Sequence, residues 1–213
     1  MSGDSNGSGR TWRGQTSEER QVDRRERLFE AGIELFGTQG YAATSVKSIC
    51  TEAGLTERYF YEAFNDREDL LAEIYEQLVK DCAKATVEAL DGAEQSIEAS
   101  MRAGLTAFAK KLTEDPRRAR IQEIESVGVS EAIERRRRAS IHSFADLIAD
   151  RVRQLGGSEL RQGLNLDVIA IGLVGFVNEQ LIDHVLGYID LPLDDVVEGQ
   201  VAVFVATAES LLD

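Results

Sequence analysis

Apolar residues recur every three or four positions along most of the chain, and no stretch alternates in the manner of a β-strand. Leu28, Ala31 and Leu35 show this spacing in a first helix, which Ser17 begins as its N-cap and Gly37 and Gly40 end. The fold class predicted from this pattern is all-α. The predicted helices cover about 17–36, 45–53, 57–64, 66–91, 94–113, 116–127, 130–156, 167–187 and 194–212.

Residues that start or stop helices lie between these segments. Thr44 or Ser45 is expected to cap the second helix, Gly54 supplies a tight turn, and Thr56 caps the third helix. Two short helices across a tight turn, supported by a preceding helix, form a helix-turn-helix. We therefore predict an N-terminal three-helix module, joined by a long helix to a C-terminal helical bundle.

The chain divides into three predicted parts. Residues 1–16 are rich in Gly, Ser and Asn, which predicts a disordered tail. Arg10 and Arg13 leave open the alternative of a flexible basic arm. The helix-turn-helix module covers 17–65, and the bundle covers 66–213.

Composition narrows the class of protein. Of the 213 residues, 43% are apolar and 29% are charged, which is ordinary for a soluble globular chain. The N-terminus has no signal-peptide core, and Cys50 and Cys82 show no disulfide or metal spacing, so a cytoplasmic location is expected. The longest apolar run, 168–177, is shorter than the roughly 20 residues that span a bilayer, so we expect no membrane contact.

A specific motif occupies residues 28–71 of the 213. Many positions resemble, at the expected spacings, the helix-turn-helix of the TetR family of transcription regulators. The matching residues are Ala31, Leu35, Phe36, Gly40, Tyr41, Thr44, Ser45, Val46, Ile49, Ala53, Gly54, Leu55, Thr56, Phe60, Tyr61, Phe64, Arg67, Glu68 and Leu70. The resemblance implies that 17–65 binds DNA and that 66–213 binds a ligand and dimerises.

The resemblance also implies a set of DNA contacts. Hydroxyls and backbone N–H groups at a helix N-terminus can hold a phosphate. The third helix is the recognition helix of such a module, and an arginine near its start can read guanine. The candidate DNA-binding residues are Thr44, Ser45, Lys47, Thr56, Arg58, Tyr59, Tyr61 and Arg67. The chain departs from the family where Glu62 replaces a frequent histidine, and an acid there is expected to turn from DNA or pair with a cation.

The overall charge of −14 opposes contact with nucleic acid, although DNA responds to the local surface that touches it. The cations are therefore expected to be concentrated on one face. Affinity for DNA should also fall steeply as salt rises, because it depends on phosphate contacts.

Two C-terminal segments favour a homodimer, in agreement with the resemblance. Residues 168–177 are apolar all round, and Gly172 and Gly175 would let another helix approach closely. The last helix is similarly apolar. These helices from two subunits would form a four-helix interface, whereas burial within one monomer is the alternative.

Polar residues on apolar helical faces mark a candidate pocket for an effector. The candidate ligand-binding residues are Phe108, Glu125, Arg137, His142, Phe144, Phe176 and Asn178. A buried charge must be paired or must meet a polar ligand. An internal ion pair of Glu125 or Glu134 with Arg137 is the alternative explanation for these charges.

No motif indicates catalysis. The chain lacks a Gly-rich phosphate loop and a Cys/His cluster, and it holds only two histidines, so we expect no enzyme, no metal and no cofactor. The function implied is a repressor that binds a palindromic double-stranded DNA operator and is released by a small-molecule effector. A helical adaptor that binds other proteins without sequence-specific DNA binding is the alternative.

Overall fold

The computed structural model describes residues 16–156 and 164–211, so Arg10 and Arg13 of the predicted tail lie outside the described residues. Every regular element in these two ranges is helical, which confirms the all-α prediction. A π-helical turn, Ile121–Glu125, continues directly from helix α6. The α-helices are α1 (Ser17–Thr38), α2 (Val46–Ala53), α3 (Glu57–Ala63), α4 (Arg67–Asp91), α5 (Ile97–Thr113), α6 (Pro116–Arg120), α7 (Glu131–Gly156), α8 (Leu166–Leu186) and α9 (Leu193–Leu211).

The helix caps differ in detail from the predicted ones. Thr16, not Ser17, caps α1, and its hydroxyl accepts the backbone N–H of Glu19 at 3.1 Å. The Glu19 carboxylate accepts the N–H of Thr16 at 2.6 Å, which completes a capping box. Ser45 caps α2 by accepting the N–H of Ser48 at 3.1 Å, whereas Thr56 holds the N-cap position of α3 without a side-chain hydrogen bond.

One apolar core joins helices α1 to α4. Phe36 and Phe60 are completely buried in it, and each large side chain removed from water stabilises the fold by about 1.5–3 kcal/mol. Ile121 of the π-helical turn and Ile133 of α7 belong to the same core. The N-terminal module is therefore packed directly against the segment that follows α5.

Helix α1 touches α6 at a glycine. A Cβ atom on Gly37 would lie 2.4 Å from Cβ and 2.8 Å from Cα of Arg117, closer than any ordinary contact. Only glycine lets the two helices approach this closely. Gly37 therefore serves as a contact point inside α1, which continues to Thr38, rather than as the residue that ends the helix.

A second core fills the bundle formed by α4, α5, α8 and α9, with Leu181 and Phe204 among its buried residues. In α8, the buried residues Ala170, Val174 and Val177 recur at helical spacing. The opposite face of α8 is exposed and apolar, and Val168 is 64% exposed.

Helix α8 is 21 residues long with a mean hydropathy of 1.4, so by length and composition it could cross a membrane. The run 168–177 alone is too short to span a bilayer, but the apolar helix that contains it extends to Leu186. This corrects the expectation of a segment too short to cross a membrane. Within the part of the chain that the structure describes, it is the one helix that meets this criterion. Core helices of soluble proteins meet the criterion too.

Candidate nucleic-acid interface and internal cavity

In the helix-turn-helix, α2 ends at a residue in the left-handed backbone conformation, and arginines of α1 bind the C-terminal carbonyls of α2 and α3. Gly54 ends α2 at φ +63°, and the N–H of Leu55 donates to the carbonyl of Cys50 at 2.8 Å. Arg27 donates to the carbonyl of Ala53 at 2.5 Å, at the C-terminus of α2. Arg25 donates to the carbonyl of Ala63 at 2.6 Å, at the C-terminus of α3. Both helices thus have their terminal carbonyls bound by side chains of α1.

Five of the predicted DNA-binding residues are exposed. They surround the start of α2 and the outer face of α3, and Tyr61 is 58% exposed despite its large ring. Lys47 adds a cation in the first turn of α2, two residues after Ser45. The exposed set is Ser45, Lys47, Thr56, Arg58 and Tyr61.

Arg58 projects from α3 with 82% of its side chain exposed. Its Nε donates to Oε1 of Glu62 at 3.0 Å, so this acid does pair with a cation, as the sequence indicated. The neighbouring Tyr59 is half-buried, with the Arg24 guanidinium 4.5 Å from its ring centroid. Tyr59 is therefore less accessible than Arg58.

Thr44 and Arg67 face inward, which corrects the expectation that their side chains face DNA. Thr44 is 1% exposed, and its hydroxyl donates to the carbonyl of Gly40 at 2.8 Å. Arg67 donates to the carbonyls of Tyr41 at 2.9 Å and Thr44 at 2.5 Å, and its guanidinium stacks on the Tyr41 ring. The physical reason is that the loop before α2 has carbonyl groups that need donors, and these two side chains supply them.

Glu125 connects this loop to the bundle. One carboxylate oxygen accepts the backbone N–H of Tyr41 at 2.8 Å, and the other accepts Nε of Arg120 at 2.9 Å. Gly40 adopts φ +91°, and a Cβ atom there would lie 2.9 Å from the carboxylate. Glu125 therefore lies at the junction of the two parts of the chain rather than in a cavity.

An apolar cavity, partly open to solvent, lies between α4, α5, α7, α8 and α9. Phe108 and Phe144 line it, and their rings meet edge to face with centroids 5.1 Å apart. A smaller polar cavity adjoins it and is lined by Gln122, Glu123 and Arg137, among others. Both cavities share Phe108, Phe144, Val174 and Asn178 as lining residues.

The predicted ligand-binding residues fall into two groups. Phe108, Arg137, Phe144 and Asn178 line one or both cavities. The remaining predicted residues, Glu125, His142 and Phe176, line neither cavity.

Each of the three has a different environment. Glu125 contacts the loop before α2. His142 is exposed on α7, because its position falls on the outer side of that helix. Phe176 packs against the second core. The candidate ligand site therefore excludes these three residues.

The ion pair that the sequence offered as an alternative is present. Nη1 of Arg137 lies 3.0 Å from the Glu134 carboxylate, while Nε of Arg137 is buried and has no hydrogen-bond partner. Arg137 therefore both forms an ion pair and lines the polar cavity.

Glu123, which is not among the residues predicted from the sequence, lies in the polar cavity. Burial raises the pKa of its carboxyl. Glu123 was missed because a π-helical turn places its residues on faces that α-helical spacing does not predict.

No group of three or more His, Cys, Asp and Glu side chains is close enough to hold a metal ion within 16–156 and 164–211. Cys50 and Cys82 are buried free thiols. Burial raises the pKa of Cys82 to about 12, which keeps this thiol protonated and unreactive at neutral pH.

Comparison with known proteins agrees with the motif. Residues 28–74 match the family model of bacterial regulatory proteins, tetR family. The chain is 33% identical over 57 residues to the HTH-type transcriptional regulator YerO of Bacillus subtilis strain 168. That match covers 27% of this chain and only 20% of the length of YerO.

Solved structures share the fold over most of the chain. The FadR regulator of Bacillus subtilis, in complex with stearoyl-CoA, has a TM-score of 0.73 and 14% identity, covering 84% of this chain and 96% of FadR. A TetR family transcription regulator from Marinobacter aquaeolei VT8 has a TM-score of 0.69 and 18% identity, covering 92% of this chain and 99% of that one. Residues 28–74 therefore carry a helix-turn-helix that matches the tetR family of bacterial regulatory proteins, and the chain shares the all-helical fold of these solved structures over most of its length.

Proposed function

We propose that this chain is a cytoplasmic transcription repressor that binds a palindromic DNA operator as a homodimer and is released by a small-molecule effector. The observation that carries the proposal is the exposed recognition surface. Arg58 projects from the first turn of α3, and Ser45, Lys47 and Tyr61 are exposed on the same helix-turn-helix. An arginine there can donate two hydrogen bonds to guanine, and the start of α2 can bind a phosphate.

Selection of binding sites from random duplex DNA tests this proposal. The native chain is expected to enrich a palindrome, because two recognition helices read two half-sites about one helical turn apart. Arg58→Ala should weaken binding to that site by about 1–3 kcal/mol and relax the sequence preference at the position it reads. If a folded dimer enriches no sequence at low salt, the regulator proposal is wrong and a protein-binding adaptor replaces it.

Arg135→Ala is the matched control for this experiment. Arg135 lies on α7, with 73% of its side chain exposed and only a long ion pair, 3.8 Å, to Glu131. The substitution removes the same charge from a surface outside the helix-turn-helix. Affinity for the enriched site should therefore remain at the native value.

The proposed dimer uses the outward faces of α8 and α9. Val168 and Val203 are exposed, and no atom lies within 4 Å of a Cβ built on Gly172, Gly175 or Gly199. A second copy of the chain would cover these small and apolar residues with its own α8 and α9. Such a two-fold arrangement also matches a palindromic operator.

The route from the cavity to DNA runs through the π-helical turn. Gln122 and Glu123 of this turn line the polar cavity, and Glu125 of the same turn accepts the N–H of Tyr41. The loop that begins at Tyr41 leads into α2. An effector that displaces the turn would therefore shift the helix-turn-helix and change the separation of the two recognition helices.

The two cavities support a small-molecule effector, since together they offer apolar walls and a few convergent polar groups. Bacillus subtilis FadR, which shares this fold, was solved in complex with stearoyl-CoA, and this supports an effector with a hydrocarbon chain. We propose binding and release, not turnover, as the role of the effector site.

A further inference from the structure

We propose that the effector is an amphipathic molecule with a hydrocarbon body and an uncharged head that both donates and accepts hydrogen bonds, as in a long-chain alcohol or primary amide. This inference rests on the proposed ligand-released function. It concerns the chemistry of the ligand, which the fold alone does not determine.

The larger cavity determines the chemistry of the main part, or body, of the ligand. Its walls are formed by apolar side chains such as Leu105, Phe108, Phe144, Ile148 and Phe204, as is usual for small-molecule sites. Arg151 also lines it, but its guanidinium donates to Ser100 Oγ at 3.0 Å and to the carbonyl of Leu90 at 3.2 Å. The cavity therefore suits hydrocarbon rather than a polar group.

The adjoining cavity sets the head of the ligand. Nε of Arg137 and Oδ1 of Asn178 both line it, both are buried, and neither has a hydrogen-bond partner among the described residues. Buried polar atoms are nearly always hydrogen-bonded in folded proteins. One unpaired donor and one unpaired acceptor fit a hydroxyl, whose oxygen accepts from Arg137 while its hydrogen donates to Asn178.

The surrounding charges exclude an ionised head. Nη1 of Arg137 is already bound at 3.0 Å to the Glu134 carboxylate, which also pairs with Arg138, so a ligand carboxylate would be the second acid on Arg137. Glu123 lies in the same cavity and, when ionised, would repel a carboxylate, while Arg137 would repel an ammonium group. An uncharged head can form hydrogen bonds with the two unpaired atoms and is not repelled by either charge.

Four ligands with ten carbons test the head: decan-1-ol, decanamide, decanoate and decylamine. Each is titrated calorimetrically into the full chain below its micelle concentration. The alcohol and the amide should bind about tenfold more tightly than the two ions, the effect of roughly one unmatched buried polar group. Tightest binding of decanoate or decylamine would overturn the assignment of an uncharged head.

A variant of Asn178 tests the predicted hydrogen bond. Decan-1-ol should bind more tightly than 1-methoxynonane, an ether of equal length that cannot donate to Asn178. Asn178→Val should abolish this preference. If the valine variant does not fold, Asn178→Ser is measured in its place. His142→Ala, on the exposed side of α7, is the control and should keep the preference. An unchanged preference in a folded Asn178 variant would overturn the inference.

Measuring operator binding in the same preparations separates the two proposals. If the chain selects a palindrome but binds none of the four ligands, the ligand inference is wrong and the DNA-binding proposal stands. If it binds the alcohol but selects no DNA, the regulator proposal fails while the chemistry of the cavity holds.

Discussion

Replacing Gly37 by alanine should destabilise the fold, although alanine is the better helix former. In an exposed helix, Gly→Ala raises stability by about 1 kcal/mol. Here the added Cβ would lie 2.4 Å from Cβ, 2.8 Å from Cα and 2.8 Å from the carbonyl oxygen of Arg117. Two of these three are backbone atoms, so relief requires α1 and α6 to move apart.

The neighbourhood of Gly37 resists this movement. Arg117 donates to the Glu34 carboxylate at 2.5 Å and to the Asp115 carboxylate at 2.7 Å, so it is bound on two sides. Overpacking of a well-packed core costs about 1–3 kcal/mol, and the contact with backbone places this case in the upper part of that range. After subtracting the propensity gain of about 1 kcal/mol, the net loss should be about 1–2 kcal/mol.

Urea unfolding followed by circular dichroism measures this loss. Gly92→Ala is the matched control, because Gly92 has φ −87° and the nearest atom to its added Cβ would be an ordinary 3.7 Å away. The control should be neutral or more stable by up to about 1 kcal/mol. A Gly37→Ala protein as stable as the native chain would refute the argument from close packing.

Four further predictions test other parts of the molecule. Glu125→Gln should lower stability by about 1–2 kcal/mol and speed hydrogen exchange at the Tyr41 amide, because one charged acceptor is lost; unchanged exchange would contradict this. Gln200→Met should raise the free energy of unfolding by about 1–3 kcal/mol, because both amide atoms of this 0% exposed side chain are unpartnered. Gly175→Arg should leave a folded monomer in analytical ultracentrifugation, and a persisting dimer would place the interface elsewhere. Cys82, whose pKa is raised to about 12 by burial, should stay unlabelled by thiol reagents at pH 8 until urea unfolds the chain.

Much of the fold could be predicted because its signals are local. Spacing of apolar residues depends on neighbours three or four positions away, and caps such as Asp115 before Pro116 act within one turn. The helix-turn-helix could also be predicted from the sequence, since Gly54 and the residues around it lie close together along the chain. The exposed position of Arg58 and its pairing with Glu62 also follow from spacing within one helix.

The internal roles of polar residues could not be predicted in this way. Arg67 binds the carbonyls of Tyr41 and Thr44, more than twenty residues away, and no spacing rule indicates that contact. Arg25 and Arg27 bind the ends of α2 and α3 for the same long-range reason. A cation that binds phosphate and a cation that binds a loop carbonyl look alike until the chain is folded.

The π-helical turn at Ile121–Glu125 has a consequence for how this protein can change by mutation. A π-helix carries one residue more per turn than an α-helix, so deletion of a single codon there would convert it to α-helical spacing. A deletion between Glu123 and Glu125 would change the relative direction of these two side chains by about 100°. Glu123 and Glu125 could then no longer reach the cavity and the Tyr41 amide together. A one-residue deletion would therefore separate two contacts that the native turn makes together. The polar cavity and the loop before α2 would then no longer be connected through the same turn.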